Sequence, residues 1–475
     1  MRIVEKSPTF GLIVGTRGFF NPVLAAEGRE ALSSRLTNLG YKYVIPPKDA
    51  TPNGAIETLD DARIAAEFFK NHEQEIDGFI VTLPNFGDEV AVVQTLDMAD
   101  LDVPVLVHAF DDDLEKLDSA YRRDAFCGKL SVCNNLYQYG IPFTNTTYHS
   151  CSIESETFEQ DLAFFARVCR VVKGLTRARI GAIGARPAPF QTVRFSEKLL
   201  QETGITVIPV DLSEIIFRTQ ALDSDDKAVE DKLARIEEYG AIPEYIPKQN
   251  VIKQAMLSVV IDRWMQENAC DASAIQCWDS IQKNYGCATC LTMSMMGERL
   301  LPSACEVDVL GAVSMYTLLL ASGNPPGLLD WNNNYAQDRD KCVGIHCSNF
   351  PKSFIGKEDV EISNLDVLGG TLGPDRCFGA VKARVTAGPM TFFRASTDDP
   401  KGIIKCYLGE GEFTDDPLDI AGGAAVCKVS HLQELMDHLC KHGFEHHVAM
   451  TRGRCSDVIE EAVGTYLGWD LYRHH

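Results

Sequence analysis

The feature that most limits what this chain can fold into is the regular alternation of short apolar runs with helical stretches over its first 170 residues. TFGLIVGT (9–16), YKYVIP (41–46), DGFIVTLP (77–84) and VPVLVHAF (103–110) read as strands. Between them, VLAAEGREALSSRLTNLG (23–40), DDARIAAEFFKNH (60–72) and DEVAVVQTLDMA (88–99) carry helical periodicity, the first ending in Gly40. Strands that alternate with helices build a parallel sheet covered on both faces, and ligands reach such a sheet at the carboxyl ends of its strands. A second unit of the same kind starts near 171. ARIGAIGARP (178–187) and ITVIPVDL (205–212) are strands around the helix QTVRFSEKLLQETG (191–204), and ASAIQCW (272–278) is a buried strand after the long helix 249–270. From about 341 Gly, Thr and β-branched residues rise, and helices become rare until 431–442. The expected fold is therefore α/β, with two Rossmann-like domains with parallel sheets (1–170 and 171–340) and a mainly β, barrel-like C-terminal domain (341–475). A chain of 475 residues exceeds one ordinary core, which agrees with two or three domains.

The net charge of −22 argues against nucleic acid or an anionic membrane surface as partner, since both need clustered Lys and Arg. No stretch has the length of a membrane span, and the N-terminus lacks the pattern of a signal peptide, so a cytoplasmic protein is expected. The sixteen cysteines are scattered without the spacing of a secreted scaffold. The single C-x-x-C, Cys287 to Cys290, has no second pair to complete a zinc ribbon.

Residues 302–350 concentrate the chemistry. Glu306, Asp330 and His346 fall within it, and FEHHVAM (444–450) adds His446 and His447. Two carboxylates and one or more imidazoles are the ligand set of a catalytic divalent-metal site with room for substrate. Glu306 is expected to open a helix over VDVLGAVSMYTLLLASG. Asp308, two positions on, is expected on another face, as a partner of the helix dipole or a support to the ligands. GLLDWNN reads as a strand with Asp330 at its carboxyl end. Gln276 and Trp278 end a strand, where an amide and an aromatic face suit a sugar, although a Trp here is equally a core residue. Arg17, in the first strand–helix turn, is either a surface arginine or a substrate contact. No G-x-G-x-x-G follows the first strand, so nothing points to a dinucleotide.

ACEVDVLGAVSMYTLL (304–319), LLDWNN (328–333), IHCSNFP (345–351), GPMTFFRAS (388–396), YLGEGEF (407–413) and EHHVAM (445–450), in this order, resemble the L-fucose/L-arabinose isomerase superfamily. The resemblance is to its fucose-isomerase-like branch, which includes sulfoquinovose isomerases, and it is strongest over 270–475. It implies a metal-dependent aldose–ketose isomerase that acts on an open-chain sugar through a cis-enediol. It also implies that Glu306 and Asp330 bind metal and serve as base and acid. His447 then corresponds to the ligand histidine near the C-terminus, with His446 as its neighbour and rival. His346 corresponds to a ligand of the arabinose-isomerase branch and is either a ligand or a support. Mn²⁺ suits this oxygen and nitrogen set, with Mg²⁺ or Co²⁺ as alternatives. The resemblance further implies a homo-oligomer, a hexamer in the family, with active sites between subunits, an N-terminal domain over a neighbour's site, and Arg17 reaching the sugar. Arg17, Arg186 and Lys352 are candidates to hold an anionic group. A sugar-binding protein without turnover, and a metal-dependent lyase or dehydratase on a sugar acid, are the alternative readings.

Overall fold

The computed structural model describes residues 6–355, 360–420 and 422–475. The chain divides into two compact units, Met1–Gly174 with Glu461–Gly468, and Leu175–Glu460 with Trp469–His475.

The first unit is built on a parallel sheet of β1 (Thr9–Val14), β2 (Lys42–Val44), β3 (Gly78–Leu83), β4 (Val105–Ala109) and β5 (Thr144–Asn145), in the order β2-β1-β3-β4-β5. β1, β3 and β4 are buried along their whole length, as a sheet covered on both faces requires. Local chemistry sets the helices between them. Asn21 caps Pro22–Asn38 by accepting from Val23 N–H, and Thr58 and Asp61 form a capping box at the start of Leu59–Lys70. The returning segment Glu461–Gly468 is fastened by polar contacts. The Thr144 hydroxyl donates to Glu461 Oε1 at 2.5 Å, and the Tyr466 hydroxyl donates to the Val105 carbonyl at 3.2 Å.

In the second unit β6 (Arg179–Ile183), β7 (Thr206–Val210), β8 (Ala272–Ile275) and β9 (Ser303–Ala304) form a parallel sheet in the order β7-β6-β8-β9. This repeats the order of the first four strands of the other sheet. The remaining strands are β10 (Pro326–Tyr335), β11 (Asp338–His346), β12 (Glu361–Asn364), β13 (Phe378–Arg384), β14 (Gly388–Asp398), β15 (Ile403–Thr414), β16 (Gly423–Lys428), β17 (His447–Arg452) and β18 (Asp470–Arg473). They pair as β12-β13-β16-β11-β10-β17-β14-β15-β18, and β15 also pairs with β16. That extra pairing closes β16-β11-β10-β17-β14-β15 into an antiparallel ring. The α/β architecture with parallel sheets and a barrel-like β portion is thus the one expected from the sequence. The ring takes its first strand from Pro326.

The helix Val309–Ser322 joins sheet and ring. Every residue from Val309 to Ala321 is buried, and the helix packs on β6, β8 and β9 on one side and on β10, β14 and β17 on the other. A helix that is apolar all round belongs between two layers. Its polar groups are satisfied locally, the Ser314 hydroxyl donating to the Leu310 carbonyl at 2.6 Å and accepting from Ala395 N–H at 2.9 Å. Among the described residues no helix is long and apolar enough to cross a membrane.

Two local expectations are corrected here. Glu306 does not open the helix, which begins at Val309 with Asp308 as its cap. Asp308 wins that place because its short side chain reaches back to the Gly311 N–H at 2.8 Å. Asp330 does not end its strand. It lies midway along β10, just before a register shift between Trp331 and Asn333, because β10 continues into a hairpin with β11.

Candidate active and metal centre

The centre is assembled from the carboxyl ends of β8 and β9 and from three neighbouring ring strands. After β9 the chain turns sharply, and Glu306 (φ 54°) and Val307 (φ 55°) both adopt left-handed backbone conformations. For non-glycine residues, and above all for a β-branched one, each costs on the order of 1–3 kcal/mol. Hydrogen bonds hold the turn, from Asp308 N–H to the Cys305 carbonyl at 2.9 Å and from Val307 N–H to the Ile275 carbonyl at 3.3 Å. The turn brings the Glu306 side chain to the ring, where Asp330 of β10 stands directly across from His447 of β17.

Four side-chain atoms converge. His447 Nε2 lies 3.6 Å from Glu306 Oε2 and 3.5 Å from Asp330 Oδ1. His346 Nε2, at the end of β11, lies 3.6 Å and 4.0 Å from the same two oxygens. Both oxygens are buried, and neither has a hydrogen-bond partner among the described residues. Two orphaned carboxylate oxygens facing each other's neighbourhood repel unless positive charge stands between them. Separations of about 3.5–4 Å are too long for hydrogen bonds, and they suit donors arranged around a divalent cation that each reaches at roughly 2.0–2.2 Å. The residues present therefore fit a hard or borderline divalent ion.

The two buried imidazoles have different tasks. His447 Nδ1 lies 2.8 Å from Asp308 Oδ2. Burial raises the Asp308 carboxyl, but the Arg394 guanidinium and then His447 hold it well below the usual carboxylate range, so it is ionised and accepts the Nδ1 proton. His447 Nε2 is then left with its lone pair toward Glu306 and Asp330, the carboxylate–histidine–cation arrangement. Arg394 is fully buried, bonded by Nη2 to Asp308 Oδ1 at 3.0 Å and by Nε to Glu445 Oε2 at 3.3 Å. His346 is the opposite case. Its Nδ1 accepts from Cys347 N–H at 2.9 Å, which places the ring proton on Nε2. Burial lowers the basicity of His346, and Glu306 and Asp330 raise it more strongly, to about 9. A second proton, on Nδ1, would cost the bond from Cys347, so the form consistent with the contacts carries one proton and directs it at the carboxylates. His346 is thereby a donor beside the centre, and His447 the nitrogen with a free lone pair.

Glu306 is pinned from behind. Trp278 Nε1–H donates to Oε1 at 2.8 Å, and the Cys277 thiol donates to the same oxygen at 3.2 Å. Burial raises its carboxyl, but His346, His447 and the Trp278 N–H bring it down to about 2. Trp278 is thus neither plain core nor plain wall. Phe190 lies between it and the two adjacent histidines, with ring centroids 5.4 Å from Trp278, 5.4 Å from His446 and 5.6 Å from His447. His446 is the more exposed of the pair, with Nε2 3.9 Å from Asp330 Oδ1. Burial and the nearby His447 lower its basicity. Gln276 is held from the strand end beside it, its Oε1 accepting from Ala185 N–H at 3.0 Å. Gly184, at φ +85°, permits that approach, since a Cβ there would stand 2.4 Å from Gln276 Oε1.

Arg17 belongs to the first unit, where it follows β1 beside the loop after β3. It donates from Nε to the Gly87 carbonyl at 2.9 Å, pairs with Glu89 and lies 4.4 Å from the Phe86 ring centroid. Lys352 donates to the Glu238 carbonyl at 3.0 Å. Arg186 donates to the Pro187 and Ala188 carbonyls, each at 3.2 Å, and lines a cavity of about 830 Å³ together with Arg194, Val307, Ser396, Lys405 and Glu445. Sequence reasoning overlooked the Asp308–Arg394–Glu445 network, Cys277 and Phe190. One signal was available for the first, a lone arginine inside the apolar strand MTFFRAS, where a charge is tolerated only if it is paired.

A strained acidic turn at the edge of a parallel sheet, set against a β ring that supplies a second carboxylate and imidazoles, makes a candidate divalent-cation centre of an enzyme. The comparisons with known proteins give its class. Residues 11–176 match the family model "Fucose/sulfoquinovose isomerase, N-terminal domain", and residues 344–475 match "L-fucose isomerase, C-terminal domain". Sulfoquinovose isomerases of Priestia aryabhattai and Priestia megaterium are each 25% identical over 416 residues, covering 84% of this chain and 88% of theirs. That of Alkalicoccus urumqiensis is 25% identical over 334 residues, covering 69% of this chain and 70% of its own. The chain belongs to the fucose-isomerase-like superfamily, and it is an aldose–ketose isomerase.

Proposed function

We propose that this isomerase depends on a divalent cation, Mn²⁺ in preference to Mg²⁺ or Co²⁺, and that its substrate is an open-chain sugar with an anionic end, sulfoquinovose being the first candidate. The observation that carries the cation requirement is the pair of buried, unpartnered oxygens, Glu306 Oε2 and Asp330 Oδ1, facing the free lone pair of His447 Nε2. The substrate rests on the sulfonated sugar named for the relatives at 25% identity. Glu306, Asp330 and His447 would hold the ion. Its contribution when bound is to polarise the carbonyl and adjacent hydroxyl oxygens of the sugar. Glu306 and Asp330 then act as base and acid, one removing a proton from the carbon next to the carbonyl and the pair returning it to the neighbouring carbon. Trp278 and Cys277 fix which oxygen of Glu306 faces the sugar. His346 offers its Nε2 proton to an oxygen of the substrate.

We assign sulfonate recognition in the second unit to Arg186, whose described hydrogen bonds are to backbone carbonyls and leave its charge available. Arg17 is proposed to reach the sugar of a neighbouring copy, as part of an N-terminal domain (1–170) that supplies subunit contacts and a lid. The domain of 171–340 would then carry Glu306 and Asp330, and that of 341–475 His346 and His447. An apolar stripe on the helix Ala125–Tyr139 supports a homo-oligomer, a hexamer on this reading. Phe126, Leu130 and Tyr137 share one face and are 56%, 58% and 81% exposed. Sixteen free thiols support a reducing, cytoplasmic setting.

The test is isomerisation in D₂O by protein stripped with EDTA and reloaded with Mn²⁺. The panel is sulfoquinovose, L-fucose, D-arabinose, L-arabinose and L-rhamnose. Metal-dependent ketose formation, with deuterium at carbon 2 of recovered aldose, is expected, and fastest with sulfoquinovose. Full turnover by the stripped protein would overturn the cation requirement. Equal rates on neutral sugars would overturn the anionic substrate.

A further inference from the structure

Glu306 has two faces. Oε2 looks toward oxygen and nitrogen donors. Oε1 accepts from Trp278 Nε1–H at 2.8 Å and, on its other lone pair, faces sulfur, with the Cys277 thiol 3.2 Å away and Cys305, the residue before Glu306, completing the group. The two sulfurs and a carboxylate oxygen of Glu306 all lie within 4.8 Å of one another, and all three residues are buried. Their origins make the grouping rigid. Cys277 follows β8 and Cys305 follows β9, adjacent parallel strands in register through Ala274 and Ala304, and the left-handed turn at Glu306 and Val307 fixes the carboxylate between them.

We propose that Cys277 Sγ, Cys305 Sγ and Glu306 Oε1 form a second cation site, for thiophilic divalent ions such as Zn²⁺ and Cd²⁺, back to back with the oxygen and nitrogen site. Thiolates select soft and borderline ions, whereas carboxylates with imidazole accept the harder Mn²⁺ and Mg²⁺. Two cysteines and one carboxylate supply three of the four positions that such an ion takes. On binding, each thiol loses its proton to solvent, and the ion takes the place of the Cys277 proton on Oε1. Because one carboxylate serves both sites, a soft ion on Oε1 draws Glu306 away from the Oε2 side and weakens uptake of the hard ion. The chain would then distinguish activating from inhibiting metals through the two oxygens of a single side chain.

The test uses the full chain with the surface-accessible Cys127, Cys133 and Cys440 changed to serine, stripped of metal and titrated with Cd²⁺. Ultraviolet thiolate-to-cadmium charge-transfer absorption is the readout, and it needs neither sugar nor turnover, so the isomerase reading can fail without affecting it. The band should saturate at one Cd²⁺ per chain. Cys277→Ala and Cys305→Ala should each reduce the affinity by more than the roughly 10–100-fold that loss of a supporting residue costs. Cys290→Ala and Cys347→Ala should leave it unchanged. Bound Cd²⁺ should also lower the affinity for Mn²⁺, followed by its paramagnetic resonance. Thermal melting identifies any variant that fails to fold, and Cys277→Ser and Cys305→Ser then replace it. An unchanged band in folded Cys277 and Cys305 variants, or no saturable band in the parent, would overturn the proposal.

Discussion

His108 in the first unit and His346 in the second are both buried, and their neighbours shift their basicity in opposite directions. His108 sits on β4, with Nδ1 2.9 Å from the Thr82 hydroxyl and Nε2 2.9 Å from the Cys151 carbonyl. Burial, resisted by the Cys151 carbonyl and aided by Lys129, pushes it down to about 4, so it is a neutral ring with both nitrogens satisfied. His346 is buried against the same kind of apolar surroundings, but it faces Glu306 and Asp330 and is pushed up to about 9. Burial alone therefore does not mark a functional histidine. The unpartnered carboxylate oxygens opposite it do.

The largest expected effect comes from removing that opposing charge. Glu306→Gln and Asp330→Asn should each reduce turnover by about 10³-fold, within the range of general acid–base catalysis, with circular dichroism and melting unchanged. Wild-type turnover by Asp330→Asn would erase the contrast between the two histidines. The next effect belongs to His108. Its folded pKa of about 4 is below the unfolded value of about 6.5, so its contribution to stability is complete above 6.5 and is lost as pH falls toward 4. The loss amounts to about 3 kcal/mol, and denaturant midpoints between pH 7 and 4 should show it. His108→Gln should flatten that part of the profile, and an unchanged slope in the variant would assign it to other groups.

A smaller effect separates the two imidazoles of the centre. Asp308→Asn should weaken Mn²⁺ binding by roughly 10–100-fold, because His447 loses the acceptor that fixes its tautomer. His346→Gln should change binding much less, and calorimetry on both would rank them. The smallest effect is at Trp278. Trp278→Phe removes one of the two hydrogen bonds to Glu306 Oε1, about 1.5 kcal/mol, and should lower kcat by about tenfold while leaving KM nearly unaltered. A change confined to KM would instead return Trp278 to the role of sugar wall.

Much of this was legible in the sequence because the signals were local. Apolar runs alternating with helical periodicity marked both parallel sheets, and the order of six motifs singled out Glu306, Asp330 and His447, whose side chains the structure brings together. What escaped was set by contacts across long separations. Asp308 reads as a dipole partner or a support to the ligands, and only Arg394, 86 positions on, and His447, 139 positions on, decide for the second by making it the residue that orients an imidazole. The strand GLLDWNN reads as belonging to the preceding α/β unit, and its place in the ring is decided by pairing with β17, more than a hundred residues later. The tautomer of His346 depends on one backbone N–H of its neighbour, which no spacing reveals.

The position of β17 carries a consequence for how the molecule is made. It lies between β10 and β14 in the closed ring, yet it follows both in the chain, as residues 447–452. A chain growing on the ribosome therefore exposes the facing edges of β10 and β14, with the buried helix Val309–Ser322 beneath them, until residues 447–452 emerge. Such late, non-local closure is slow and leaves unpaired strand edges open to association. The candidate centre, whose His447 opens that same strand, is accordingly incomplete until β17 has joined the ring.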